Sequence, residues 1–191
     1  MLVGGGNPAL LRWAGAHADA VGLSGLGRTL PDGHAHTVSW SAAQLDTQVA
    51  LVRDGAAVAG VAPPALEAVV QHVELTVDRE AAARPIAYRA ERSVEDVLAV
   101  PYVLIGTIAQ IVEQLRDMRE RWGITGWVVR TDALDVEQVL VALRSRARRT
   151  SDSHFFATTQ QPVPQCVVLV SVSRSLTGQE LNPIAAADDV A

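Results

Sequence analysis

Five consecutive residues near the start of the chain, Gly4-Gly5-Gly6-Asn7-Pro8, have the types and spacing to do chemistry. Leu2 and Val3 before them read as a strand. Asn7 is a good helix N-cap and Pro8 a good first helical residue, and Leu10, Leu11, Ala14 and Ala18 follow at helical spacing. A glycine turn that opens a helix presents free backbone N–H groups and the positive end of the helix dipole, which suits a phosphate. The plain alternative is a tight strand-to-helix turn with no ligand. The N-cap directly behind the glycines favours the phosphate cradle. The run also matches the dinucleotide pattern G-x-G-x-x-A, but that site needs an acidic residue at the end of the second strand. Here the second apolar run, Ala20 to Leu23, ends in Ser24-Gly25, and Asp19 comes before it. The ribose-binding acid is missing, which argues against a dinucleotide.

Leu23-Ser24-Gly25 and the following Leu26-Gly27-Arg28 offer either an ordinary glycine loop or a second edge of the same site. In the second case Ser24 supplies a hydroxyl and Arg28 a counter-charge. His34 and His36 form an H-x-H pair with no third ligand near in sequence, so no metal site is expected. His72 and Glu74 share the mixed face of a strand and read as a satisfied pair rather than as ligand groups. Trp13, Trp122 and Trp127 sit in periodic segments and read as packing; Trp40, in a loop, is more open to a ligand role. There is no G-x-S-x-G, P-loop or H-E-x-x-H. No residue is singled out as catalytic, and the lone Cys166 is not proposed as a nucleophile.

The 191 residues are 49% hydrophobic, enough for a sizeable core. Net charge is −5, and all 16 cationic residues are Arg. That balance argues against a nucleic-acid partner or an acidic membrane surface. One cysteine excludes an internal disulfide and fits a reducing cytoplasm. No signal peptide is recognised, and the longest aliphatic run is too short to span a bilayer.

The elements that must position the glycine turn alternate. After the first strand–helix–strand unit comes a loop, Leu26 to Trp40, rich in Gly, Pro, Asp and His. A helix opens on Ser41 and Gln44 and presents Leu45, Val49, Val52 and Ala56. Residues 68–77 alternate as one strand, with Val69, Val73, Leu75 and Val77 on its apolar face. Short helices are expected from Asp78 and over Ser93–Ala99, followed by an apolar stretch, Tyr102 to Ile105. Thr107 and Gln110 then cap the clearest helix, which buries Ile108, Ile111, Val112, Leu115, Met118 and Trp122 and ends at Gly123. Ile124 to Arg130 is a strand, and a last helix uses Val136, Val139, Leu140 and Leu143. Such β-α alternation predicts four adjacent parallel strands covered by helices, about half of a (β/α)8 barrel. The pattern breaks after about Arg146, beyond the Arg run at 144, 146, 148 and 149. The expected division is a half-barrel over 1–146 and a poorly ordered tail over 147–191, with Gln165–Ser173 as an isolated strand.

Three stretches together resemble the bacterial luciferase-like monooxygenases, in particular their coenzyme F420-dependent oxidoreductase branch. They are LVGGGNPALLRWAGAHADAVGLSGLG, VVQHVELTVDREAAA, and the run from VEDVLAVPYVLIGT through GITGWVVRTDAL. The resemblance covers about residues 2–145. It implies the C-terminal half of a TIM-type barrel that binds F420, or alternatively FMN, at the C-terminal ends of its strands. Gly4, Gly5, Gly6 and Asn7 then meet the cofactor phosphate, with Leu23, Ser24 and Gly25 beside it. The implied activity is hydride transfer between the deazaflavin and an organic small molecule. Alternatives are an FMN-dependent monooxygenase and a non-catalytic, degenerate half-barrel. The family's first four βα units are not in this chain, so the outermost strands are expected as unpaired edges. These edges point to a homodimer or to association with an N-terminal half-barrel.

Overall fold

The computed structural model describes residues 1–29, 31, 36–130, 154–160 and 167–173. The first half holds β1 (Leu2–Gly4), α1 (Pro8–His17), β2 (Ala20–Leu23), β3 (Leu26–Thr29), β4 (His36–Val38), α2 (Ala42–Ala59) and β5 (Ala65–Val70). Then come β6 (His72–Leu75), α3 (Arg79–Ala90), α4 (Val94–Leu98), β7 (Val103–Gly106), α5 (Ile108–Trp122), β8 (Ile124–Arg130), β9 (His154–Gln160) and β10 (Val167–Ser173).

β1, β2, β5 and β8 lie side by side and parallel, as the alternation predicts. Val3 pairs with Val21, Val21 with Leu66, and Leu66 with Ile124. One sheet face carries Val21, Leu23, Leu66, Ala68, Val70, Ile124, Trp127 and Val129, all buried in one core with residues of α1, α2 and α5. The other face carries Leu2, Gly4, Ala20, Gly22, Glu67 and Val69, none of them fully buried. On that face Gly4, Gly22, Glu67 and Gly126 stand in register across four strands. The Glu67 side chain lies over Gly126, where a Cβ would come within 2.9 Å of its Cγ. No group of the described residues pairs with the Glu67 carboxylate, and burial raises its pKa.

Three expectations about the strands are corrected. The expected 68–77 strand is two strands. Gln71 breaks it, because the amides of Gln71 and His72 both donate to the Tyr102 carbonyl oxygen, at 2.7 and 3.3 Å. β6 is thereby drawn off into a separate parallel pair with β7, the apolar stretch ending at Gly106. The inserted residue also switches parity: Ala68 and Val70 are buried before it, Val73 after it. Secondly, the loop over 26–40 holds an antiparallel pair, β3 with β4. Its sequence cue is Pro31-Asp32-Gly33 between strand-compatible residues. Thirdly, the run at 165–173 is not isolated. β10 pairs antiparallel with β8, Val170 opposite Trp127, and with β9 on its other side. The far edge of β8, expected bare, is covered, because a seven-residue edge strand offers a row of backbone donors and acceptors to any alternating run within reach. The outer edge of β1 has no partner among the described residues.

The helices obey their caps. Asn7, Ser41 and Thr107 accept at the starts of α1, α2 and α5, the last in a complete capping box with Gln110. Gly60 and Gly123 end α2 and α5 in the left-handed region. α3 is longer than expected, running through Pro85 to Ala90. α1 and α2 cross at two glycines: a Cβ on Gly15 would sit 2.0 Å from the Val52 carbonyl oxygen, and one on Gly55 1.9 Å from that of Arg12. Asp46 of α2 accepts from Trp122 Nε1 at 2.6 Å and from Arg121 at 2.8 and 3.3 Å, tying α2 to α5. The Arg121 and then the Trp122 hydrogen bonds hold its carboxyl below the usual range. Trp13 is not core: it is 46% exposed and stacks on His17 at 4.8 Å.

Candidate functional site

The sheet brings the two glycine segments together. Gly4 ends β1 and pairs with Gly22 of β2, so the turns after these strands lie side by side at one end of the sheet. A Cβ on Gly6 would be 3.7 Å from the Leu26 carbonyl oxygen in the second turn. Gly5 has φ +146°, a conformation that glycine alone adopts without strain.

The first turn holds donors, but not those of the helix itself. Asn7 Oδ1 accepts from Ala9 N at 2.9 Å and Leu10 N at 3.3 Å. Pro8 has no N–H, and Leu11 N makes the first helical bond, to Asn7 O. The cap therefore consumes the helical amides that the sequence alone suggests are free. The amides of Gly5, Gly6 and Asn7 itself carry no hydrogen bond among the described residues. Gly6 and Asn7 are exposed, and no acidic residue stands in the first turn of α1. These three amides, with the α1 dipole behind them, are donors suited to an oxyanion.

The second turn is more committed to structure. Leu23 is 1% exposed, its side chain in the core. Ser24 Oγ accepts from Leu26 N at 3.3 Å, which leaves its proton to donate, while Ser24 O accepts from Gln71 Nε2 at 3.3 Å. Gly25 has φ +65°, and a Cβ there would strike Tyr102 Cδ2 at 2.5 Å and Trp40 Cδ1 at 2.7 Å. Gly25 thus admits two rings, which stack on each other with centroids 6.4 Å apart. Trp40 Nε1 and the Tyr102 hydroxyl are buried without a hydrogen-bond partner among the described residues, and burial pushes the Tyr102 phenol strongly up. Arg28 lies exposed on β3, its amide donating to Thr37 Oγ1.

Of the other singled-out residues, some are engaged in pairs of their own and others lie outside the described residues. His72 Nε2 meets Glu74 Oε2 at 3.1 Å on β6. His36 faces Thr29 Oγ1 at 3.3 Å. Among the described residues no three His, Cys, Asp or Glu side chains gather to hold a metal, and no helix is long and apolar enough to cross a membrane. His34, Cys166, the helix using Val136 to Leu143, the Arg run at 144–149 and most of the expected tail lie outside the described residues.

One residue beside the turn was missed. Gln48 of α2 is 8% exposed, and its Nε2 would be 3.3 Å from a Cβ on Gly6. Its side chain makes no hydrogen bond among the described residues. Its sequence signal is a polar residue at a core-facing position, between Leu45 and Val52 on the buried helix stripe.

No family model matches the chain, and no curated protein matches it. Among solved structures it is similar to the coenzyme F420 dependent tetrahydromethanopterin reductase from Methanopyrus kandleri, at 16% identity and a TM-score of 0.44. The likeness covers 74% of this chain and 48% of the reductase, so the chain spans about half that protein's length.

Proposed function

We propose that this chain is the cofactor phosphate-binding half of a luciferase-like oxidoreductase that uses coenzyme F420, with FMN as the alternative cofactor. One observation carries the reading: three unbonded, neighbouring amides, Gly5 to Asn7, stand at the C-terminal end of a parallel sheet, next to the Ser24 turn. Ligands of parallel α/β folds bind at that end of the strands. The sequence resemblance over residues 2–145 supplies the cofactor class.

In this reading Gly5 and Gly6 donate to the phosphate through the backbone. Asn7 holds the turn by capping α1, and Ser24 donates its hydroxyl proton. The bound deazaflavin or flavin supplies hydride acceptance and delivery to a small organic molecule, while the protein orients it. Residues 1–146 form the cofactor-binding unit, and β9 and β10 of the following segment extend its sheet beyond β8. The half-exposed sheet face around Glu67 and the open edge of β1 support association, either as a homodimer or with an N-terminal half-barrel. The single cysteine supports a cytoplasmic setting. A second reading, a half-barrel that binds phosphate ligands weakly or not at all, is favoured by the two helix amides already engaged by Asn7.

Gly5→Ala separates these readings. Its Cβ meets Leu10 Cδ2 at 2.9 Å and its φ becomes strained. In fluorescence titrations with F420 and with FMN, the substitution weakens binding about tenfold, or about 1.4 kcal/mol. Unchanged affinity sinks the cradle, and a parent that binds neither cofactor favours the second reading.

A further inference from the structure

Gln48 is the odd member of its helix face. Leu45, Val49, Val52 and Ala56 around it are core residues, each 1% exposed or less. A primary amide carries two donors and an acceptor, and burying it without partners costs free energy unless a ligand completes it. Gln48 is 92% buried, has no partner among the described residues, and brings Nε2 up to Gly6. Unlike Trp40 Nε1 and the Tyr102 hydroxyl, its amide atoms are not among those sealed from solvent.

We propose that Gln48 is the side-chain donor of the glycine turn: an oxyanion held by the amides of Gly5, Gly6 and Asn7 also takes a hydrogen bond from Gln48 Nε2. This rests on the reading of that turn as a phosphate cradle and adds a residue that recognises the phosphate. The donor comes from α2, an element separated from the turn by the β3–β4 pair. The site is therefore composite, and a bare strand-to-helix turn would not reproduce it. Every donor is neutral, so the site favours a phosphate group on a larger ligand over a highly charged polyphosphate.

The test uses the full chain, inorganic phosphate and the pair FMN and riboflavin, which differ by one phosphate. Gln48→Met keeps length and removes both donors; Gln48→Glu adds a like charge. In 15N-resolved NMR, phosphate shifts the Gly5, Gly6 and Asn7 amides and the Gln48 side-chain amide together. Gln48→Met weakens phosphate and FMN binding about tenfold, leaves riboflavin binding unchanged and does not lower Tm, since Gln48 has no side-chain bond to lose among the described residues. Gln48→Glu weakens phosphate and FMN further. If the turn amides shift but the Gln48 amide does not, and Gln48→Met binds FMN like the parent, the assignment of Gln48 is overturned while the cradle stands. Equal losses of FMN and riboflavin binding, or a lower Tm for Gln48→Met, also overturn it by showing a structural role. No amide shift in the parent, together with no effect of Gly5→Ala, overturns the cradle and Gln48 with it.

Discussion

Gly55→Ala tests how the site is held, because α1 carries the glycine turn and rests on α2. The new Cβ would lie 1.9 Å from the Arg12 carbonyl oxygen and 2.8 Å from its carbon. Ordinary contact begins at 3.4 Å, so the helices must part by about 1.5 Å. Both atoms met are backbone and cannot rotate away. A gap of about 0.5–1 Å already forfeits a quarter to a half of the dispersion energy of the atoms lining it. Overpacking of this kind costs about 1–3 kcal/mol, and here the upper end applies because Gly15 meets Val52 in the same way. Against this, alanine gains about 1 kcal/mol over glycine inside a helix. The expected net loss is about 2 kcal/mol. With an m-value of about 2 kcal/mol/M, urea unfolding followed by circular dichroism should show a midpoint lowered by about 1 M. On the proposed cradle reading, displacement of α1 should also weaken cofactor binding. Helix propensity alone predicts the opposite sign, so a Gly55→Ala protein as stable as the parent, or more so, would refute the close crossing.

Glu67→Gln should change the pH dependence of stability. The raised folded pKa means the unfolded chain releases the Glu67 proton first, so stability falls as pH rises from the ordinary glutamate range through the raised value. The substitution should therefore raise Tm at neutral pH and have no effect in acid; a gain confined to low pH would contradict the burial. Tyr102→Phe removes a buried hydroxyl with no partner among the described residues. It should leave stability unchanged or raise it by about 1 kcal/mol in denaturant titrations, and a loss of that size would reveal an internal hydrogen-bond partner.

Local chemistry made much of the scaffold legible. The stripe Ile111, Val112, Leu115, Met118 and Trp122, the Thr107–Gln110 box and Gly123 specify α5 at both ends and on one face. Asn7-Pro8 and Ser41 do the same for α1 and α2. The alternation of such helices with short apolar runs implies parallel pairing of β1, β2, β5 and β8. These features depend on residues within one or two helical turns of each other, so a single chain segment states them in full.

Tertiary structure decided what depends on partners distant in sequence. Whether Val69 or Val70 faces the core was settled at Gln71, by hydrogen bonds to the carbonyl of Tyr102, a residue of another segment. The partner of β8 beyond the parallel strands is β10, some 40 residues on, and no local pattern states that pairing. At the candidate site the sequence placed the glycine turn, but only the fold showed which donors remain once Asn7 caps α1. Only the fold showed that Trp40 and Tyr102 take the space beside Gly25, and that Gln48 is brought to Gly6. Periodicity records which way a side chain faces; which hydrogen bonds are left over depends on every other group nearby, and that is known only when the chain is packed.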